Sequence, residues 1–156
     1  MRRPGSFIAR HVSGDRGSTL VEAALVTPLL LLLTFAIVEF GLVLYVDLAL
    51  ENGVSQATRY GITGNLVGGL SHEDSIKAAM RDATPTLTLA DNVFTFSHMP
   101  EGGTTWLGGA GGPGDIERVQ VDYTWELITP LLRPFFTGGQ VHLHVDSAMK
   151  NEAKFP

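Results

Sequence analysis

The hydrophobic pattern divides this chain into a long apolar run and an alternating C-terminal half. From Ala23 to Val46 the chain is apolar over 24 residues, interrupted by Thr27, Pro28, Thr34, Glu39 and Gly41, with no charge between Ala23 and Val38. As a helix, those residues span about 36 Å against a hydrocarbon core of about 30 Å, long enough to cross a bilayer. After Leu44, polar Tyr45, Asp47, Glu51, Asn52, Gln56 and Arg59 appear, while Leu48, Ala49, Val54, Ala57 and Tyr60 continue an apolar stripe. That change predicts an amphipathic extension that leaves the bilayer and packs on something. The whole element is expected from Ser18 to about Tyr60, with Ser18 and Thr19 capping its start and Gly61 and Gly64 fitting its end. Pro28 lacks an amide hydrogen and predicts a kink, which membrane helices tolerate where neighbours satisfy the freed carbonyl.

A short second helix is predicted from the capping sequence Ser71-His72-Glu73-Asp74, with Ile76, Ala79 and Met80 on one face, ending before Pro85. The remainder reads as strands. Residues 93–98 are rich in β-formers, with Phe94 and Phe96 on one face. Residues 116–127 alternate: Val119, Val121, Tyr123 and Trp125 one way, Arg118, Gln120, Asp122, Thr124 and Glu126 the other. Residues 140–147 repeat the alternation, with Val141, Leu143 and Val145 inward and His142, His144 and Asp146 outward. Half-buried antiparallel strands need a cover, and the amphipathic end of the long helix supplies one. The predicted fold is therefore α+β: a transmembrane helix running into a small domain with one short helix and a three- to four-stranded antiparallel sheet. The expected divisions are a leader over 1–17, the long helix over 18–60 with its span at about 23–46, and an α+β domain over 61–156.

Charge gives the anchor a direction. Residues 1–17 hold Arg2, Arg3, Arg10 and Arg16 against Asp15, whereas the other 139 residues hold seven basic against fifteen acidic side chains. A basic flank before an apolar helix stays cytoplasmic, which leaves the acidic body on the far side. An acidic body without a basic patch argues against nucleic-acid binding. The chain has no cysteine, which excludes a disulfide framework, a thiolate metal site and a cysteine nucleophile. The apolar run is also longer than the 7–15-residue core of a secretory signal.

The candidate chemistry begins with Glu22. A carboxylate at the edge of a lipid-soluble segment costs free energy, up to about 2.5–3.5 kcal/mol at a helix centre and less at the interface. Cleavage after Gly17 would make Ser18 the first residue and put a new α-amino group one helical turn from Glu22. Glu39 has two open readings: a solvated group at the outer interface, or a partner of another subunit. Pro28, Glu39 and Gly41 are candidate helix-interface positions. The segment 101–114 holds seven glycines and is expected to be a flexible surface or partner-contact loop. It lacks the Lys and Ser/Thr of a phosphate loop. Trp106 at its tip is a candidate partner contact, and equally a lid on the domain's own core. His142 and His144 share a strand face, with His98 as the other strand histidine; zinc needs three or four ligands, so a solvated face is favoured over a metal site. No G-x-S-x-G elbow accompanies the Ser, His and Asp residues, so no catalytic residue, cofactor or metal is assigned.

Taken together, these residues resemble a type IV pilin-like precursor. More narrowly, RGSTLVEAALVTPLLLLLTFAIVEFGLVLYVDLALENGVSQATRYG resembles the TadE/TadG-like pseudopilins of tight-adherence (Tad, Flp) pilus systems, and VQVDYTWELITPLLRPFF with VHLHVDSAMKNE is similar to that family's closing strands. The resemblance covers most of residues 16–60 and 116–152. One position departs from it: Ala23 follows the glutamate where these families commonly carry an aromatic residue. The resemblance implies a minor pilin or assembly subunit, cut after Gly17 by a membrane prepilin peptidase, with Ser18 as the new N-terminus and Glu22 as the acidic residue of the mature helix. It implies a single-pass protein of the bacterial inner membrane, N-terminus cytoplasmic and domain periplasmic, open to incorporation into an extracellular, adhesive pilus. The implied partners are the peptidase, other pilins and pseudopilins, the Tad inner-membrane assembly platform and membrane lipid. Glycine before the cut also has a steric reason, because a missing side chain lets a protease approach the backbone. The competing class is an uncut membrane-anchored periplasmic binding or sensor domain, which would keep its arginine-rich leader.

Overall fold

The computed structural model describes residues 15–153 and 155. The leader expected over 1–17 therefore lies outside the described residues up to position 14, and the side chains of Asp15 and Arg16 are likewise outside them. Helix α1 runs unbroken from Asp15–Gly61, 47 residues or about 70 Å. It begins three residues before the expected start. Gly17 sits inside it, because one helical glycine costs about 1 kcal/mol and the strong helix formers that follow outweigh it. Pro28 lies within the same continuous helix.

Helix α2 (His72–Ala83) starts at Ser71, whose hydroxyl accepts the Asp74 amide. Four strands follow: β1 (Phe94–Met99), β2 (Leu107–Gly108), β3 (Ile116–Glu126) and β4 (Gln140–Lys150). The sheet is antiparallel in the order β2-β1-β3-β4. The long pair is aligned over its full length, from Ile116 opposite Lys150 to Glu126 opposite Gln140.

The two halves of α1 meet different surroundings. The C-terminal half buries Val46, Leu50, Val54 and Ala57 against Ile76 and Met80 of α2, Phe94 and Phe96 of β1, Val119 and Val121 of β3, and Val145 of β4. That spacing is one face of a helix. Leu48, expected in the stripe, is half a turn from Val46 and Leu50 and is 63% exposed. Gly53 leaves room for the residue that caps α2: a Cβ there would come within 2.5 Å of Thr84 Cγ2. In the N-terminal half, the most apolar 18-residue window has mean hydropathy 2.5 and only 11% of it is buried. Among the described residues α1 is the one helix long and apolar enough to cross a membrane, and it fits a single-pass anchor.

Candidate functional site

The proposed processing end is open. Gly17, Ser18 and Glu22 are all exposed at the start of α1, and nothing lies within 4 Å of a Cβ placed at Gly17. Ser18 and Glu22 are four residues apart on a helix, so they share a face with an axial separation of about 6 Å. Among the described residues no side chain or backbone group bonds the Glu22 carboxylate. The Gly17–Ser18 peptide is helical here, so a protease that needs an extended strand would have to fray it. Fraying is cheapest in a terminal turn, where the first amides lack intrahelical acceptors.

Glu39 departs from both sequence readings. It is 2% exposed, and it is bonded within its own chain. Its Oε1 accepts the Ile128 amide at 2.9 Å and its Oε2 the Thr129 amide at 2.8 Å. The carboxylate thus ties the middle of α1 to the connection between β3 and β4. That connection is compact. Leu127 N donates to Gly139 O, Leu132 N to Thr129 O, Phe135 N to Leu132 O and Phe136 N to Arg133 O. Arg133 Nε donates to Leu127 O at 2.9 Å. Phe136 packs on Phe40 with ring centroids 6.3 Å apart.

Pro28 and Gly41 fall on the exposed surface of α1. Pro28 lines a shallow groove with Leu20, Thr27, Leu31, Phe35 and, from the connection, Leu131. Gly41 has open space where a side chain would stand.

The loop at 101–114 is pinned, in contrast to the flexible loop expected from its glycines. Ala110 N donates to Glu73, and Asp115 accepts the amides of Glu101 and Gly112. Asn151 Nδ2 donates to Gly112 O, and His98 Nδ1 is 3.0 Å from Gly109 O. Trp106 lies under the Arg118 guanidinium, 4.1 Å from the ring centroid. Arg118 alternates with the core residue Val119, so Trp106 covers the sheet face turned away from α1 and does not lid the core. On the same face His142 meets Thr124 at 3.0 Å and His144 meets Asp122 at 2.7 Å across the strands.

Sequence reasoning passed over one buried acid. Glu117 is fully buried, with Oε2 3.4 Å from His72 Nε2 and Oε1 without a hydrogen-bond partner among the described residues. Burial raises its carboxyl above the usual range, against the opposing pull of His72. The signal was available: strict alternation through Val119 and Val121 puts position 117 on the inward face.

The family model for TadE-like proteins matches residues 17–59, from the glycine before the proposed cut almost to the end of α1. The closing strands lie outside that match. No curated protein and no solved structure matches the chain.

Proposed function

We propose that this chain, whose residues 17–59 match the TadE-like family model, is a Tad pilus-associated, pilin-like structural or assembly subunit cut after Gly17 by a prepilin peptidase. The observation that carries the reading is the exposed pair Ser18 and Glu22, one helical turn apart where an apolar helix begins. Cleavage would turn Ser18 into an ammonium beside a carboxylate at the lipid boundary. Two unit charges about 6 Å apart attract by roughly 0.7 kcal/mol in water and about 3 kcal/mol at an effective dielectric constant near 20. Desolvation offsets part of this, so the pair acts more as a register device than as a source of net stability. The ammonium comes from the same subunit or from a neighbour during assembly, and side-chain packing between helices supplies the association itself.

In this reading the arginine-rich end is cytoplasmic, α1 crosses the inner membrane and the sheet domain stands in the periplasm. Its partners are the peptidase, other pilins and the assembly platform. No catalysis is assigned to the chain. Intact-mass analysis of protein from the native host tests the proposal. The expected chain begins at Ser18, and reverts to the full-length form when the peptidase is deleted. A chain that keeps its leader in peptidase-positive cells would sink the pilin reading and favour the uncut anchored domain.

A further inference from the structure

We propose that the β3–β4 connection, residues 127–139, is a membrane-inserting tip. Its side chains Ile128, Leu131 and Phe135 enter the leaflet on the domain's side, alongside α1. The proposal rests on the reading of α1 as a membrane span.

Ile128, Leu131 and Phe135 are 60%, 51% and 72% exposed. They do not form an isolated patch. Leu131 closes a groove with Leu31 and Phe35 of α1, and Phe135 with Phe136 closes a second with Leu33, Ala36 and Phe40. Helix and connection therefore present one continuous apolar surface, and whatever solvates α1 at this level also solvates the tip. A hydrocarbon core of about 30 Å takes about 20 helical residues. Counted from Ala23, the first residue of the uncharged run, the core ends near Leu42. Glu39 then lies about 4–5 Å inside that edge and Phe35 about 10 Å inside it.

Irregular backbone is admitted at such depth only if its polar groups are satisfied by protein. Much of the tip's backbone meets that demand. The amides of Ile128 and Thr129 are held by Glu39, and those of Leu127, Leu132, Phe135 and Phe136 by carbonyls of the same segment. Pro130 and Pro134 have no amide hydrogen to satisfy. Glu39 is correspondingly shielded from the lipid by the groups it bonds. Arg133 is exposed at the tip; its Nε is turned back to Leu127 O at the base of the connection, and its terminal nitrogens are left for headgroup phosphates.

The absence of cysteine makes the test direct. Phe135→Cys, Leu33→Cys and His142→Cys are labelled singly with an environment-sensitive fluorophore in the full chain. Each is reconstituted into phosphatidylcholine–phosphatidylglycerol vesicles at high lipid-to-protein ratio. All three side chains are exposed, so labelling leaves the fold in place. The expected result is several-fold quenching of the labels at 33 and 135 by brominated acyl chains, with protection from aqueous iodide and the reverse at 142. A label at 33 that meets lipid while the label at 135 behaves like that at 142 overturns the tip and leaves the span standing. Labels at 33 and 135 that both stay in water overturn both. Protection at 135 that appears only at high protein density, without quenching by brominated lipid, assigns the surface to a second copy and also overturns the proposal.

Discussion

Glu39 is the residue whose replacement discriminates most sharply among accounts of this fold. Its carboxylate accepts two backbone amides, at 2.9 and 2.8 Å, in a site that is 2% exposed. Hydrogen bonds to a charged acceptor contribute about 1.5–3 kcal/mol each, and an amide left without a partner away from water costs a similar amount. Glu39→Gln keeps one oxygen and turns an NH₂ group toward the second amide, so one bond is lost: about 1.5–3 kcal/mol. With tenfold per 1.4 kcal/mol, the connection should open about 10- to 150-fold more often. Glu39→Ala removes both bonds and should cost up to about 6 kcal/mol locally. The readout is hydrogen–deuterium exchange over residues 127–136 with the chain in vesicles, where each variant should accelerate exchange in that order. Amides of β3 around Val119 and Val121 should exchange as in the unmodified protein, because the core they belong to does not include Glu39. Gly41→Ala is the control, since its added methyl meets open space. If Glu39→Gln leaves the connection as protected as Gly41→Ala does, the carboxylate is not what holds it, and the reasoning fails.

Two further outcomes follow from the other acids. Glu22→Leu should leave membrane insertion intact while lowering co-purification with other pilus components; undiminished recovery would count against a role for the carboxylate in assembly. Glu117 carries a pH dependence of determined sign. Burial raises its folded-state pKa above the ordinary 4.5, so the folded state holds this proton more tightly than the unfolded chain does. Stability from this group is complete below about pH 4.5 and falls as pH rises through the elevated folded value. Glu117→Gln should remove that component, so its denaturation midpoint should gain on the unmodified protein as pH rises above about 4.5, and curves that stay parallel would refute the assignment.

How much of this was legible in the sequence depended on whether a feature was periodic. The long helix, the Ser71 cap, the paired alternation of β3 and β4, and Phe94 with Phe96 were all read from spacing, because burial on one face imposes the spacing. The stripe slipped at Leu48, since hydrophobicity alone does not say which of two adjacent faces a sheet will cover. Here Val46 and Leu50 align with Val54 and Ala57, and Leu48 does not. The pinned loop was illegible because its restraints come from Glu73, Asp115 and Asn151, remote or polar residues with no pattern of their own. Glu39 was legible as an anomaly and not as a clasp. Its partners are backbone amides 89 and 90 positions away, and a backbone amide has no sequence signature.

The two acids flanking the apolar run solve the same problem by opposite means. Glu22 and Glu39 are 17 residues apart on one helix, about 26 Å, close to the thickness of a hydrocarbon core. A carboxylate at either position needs donors that the lipid cannot offer. Glu39 finds them when the sheet domain folds and brings Ile128 and Thr129 back against α1, so its satisfaction is a consequence of folding and persists in a single chain. Glu22 finds none among the described residues, and its exposed position on the same face as Ser18 suits a donor that arrives later. An acid satisfied by folding fixes the domain on its helix, and under the proposed function an acid left open is the one that cleavage and assembly would satisfy. The asymmetry between them follows from where the domain lies along α1: it reaches residue 39 and does not reach residue 22.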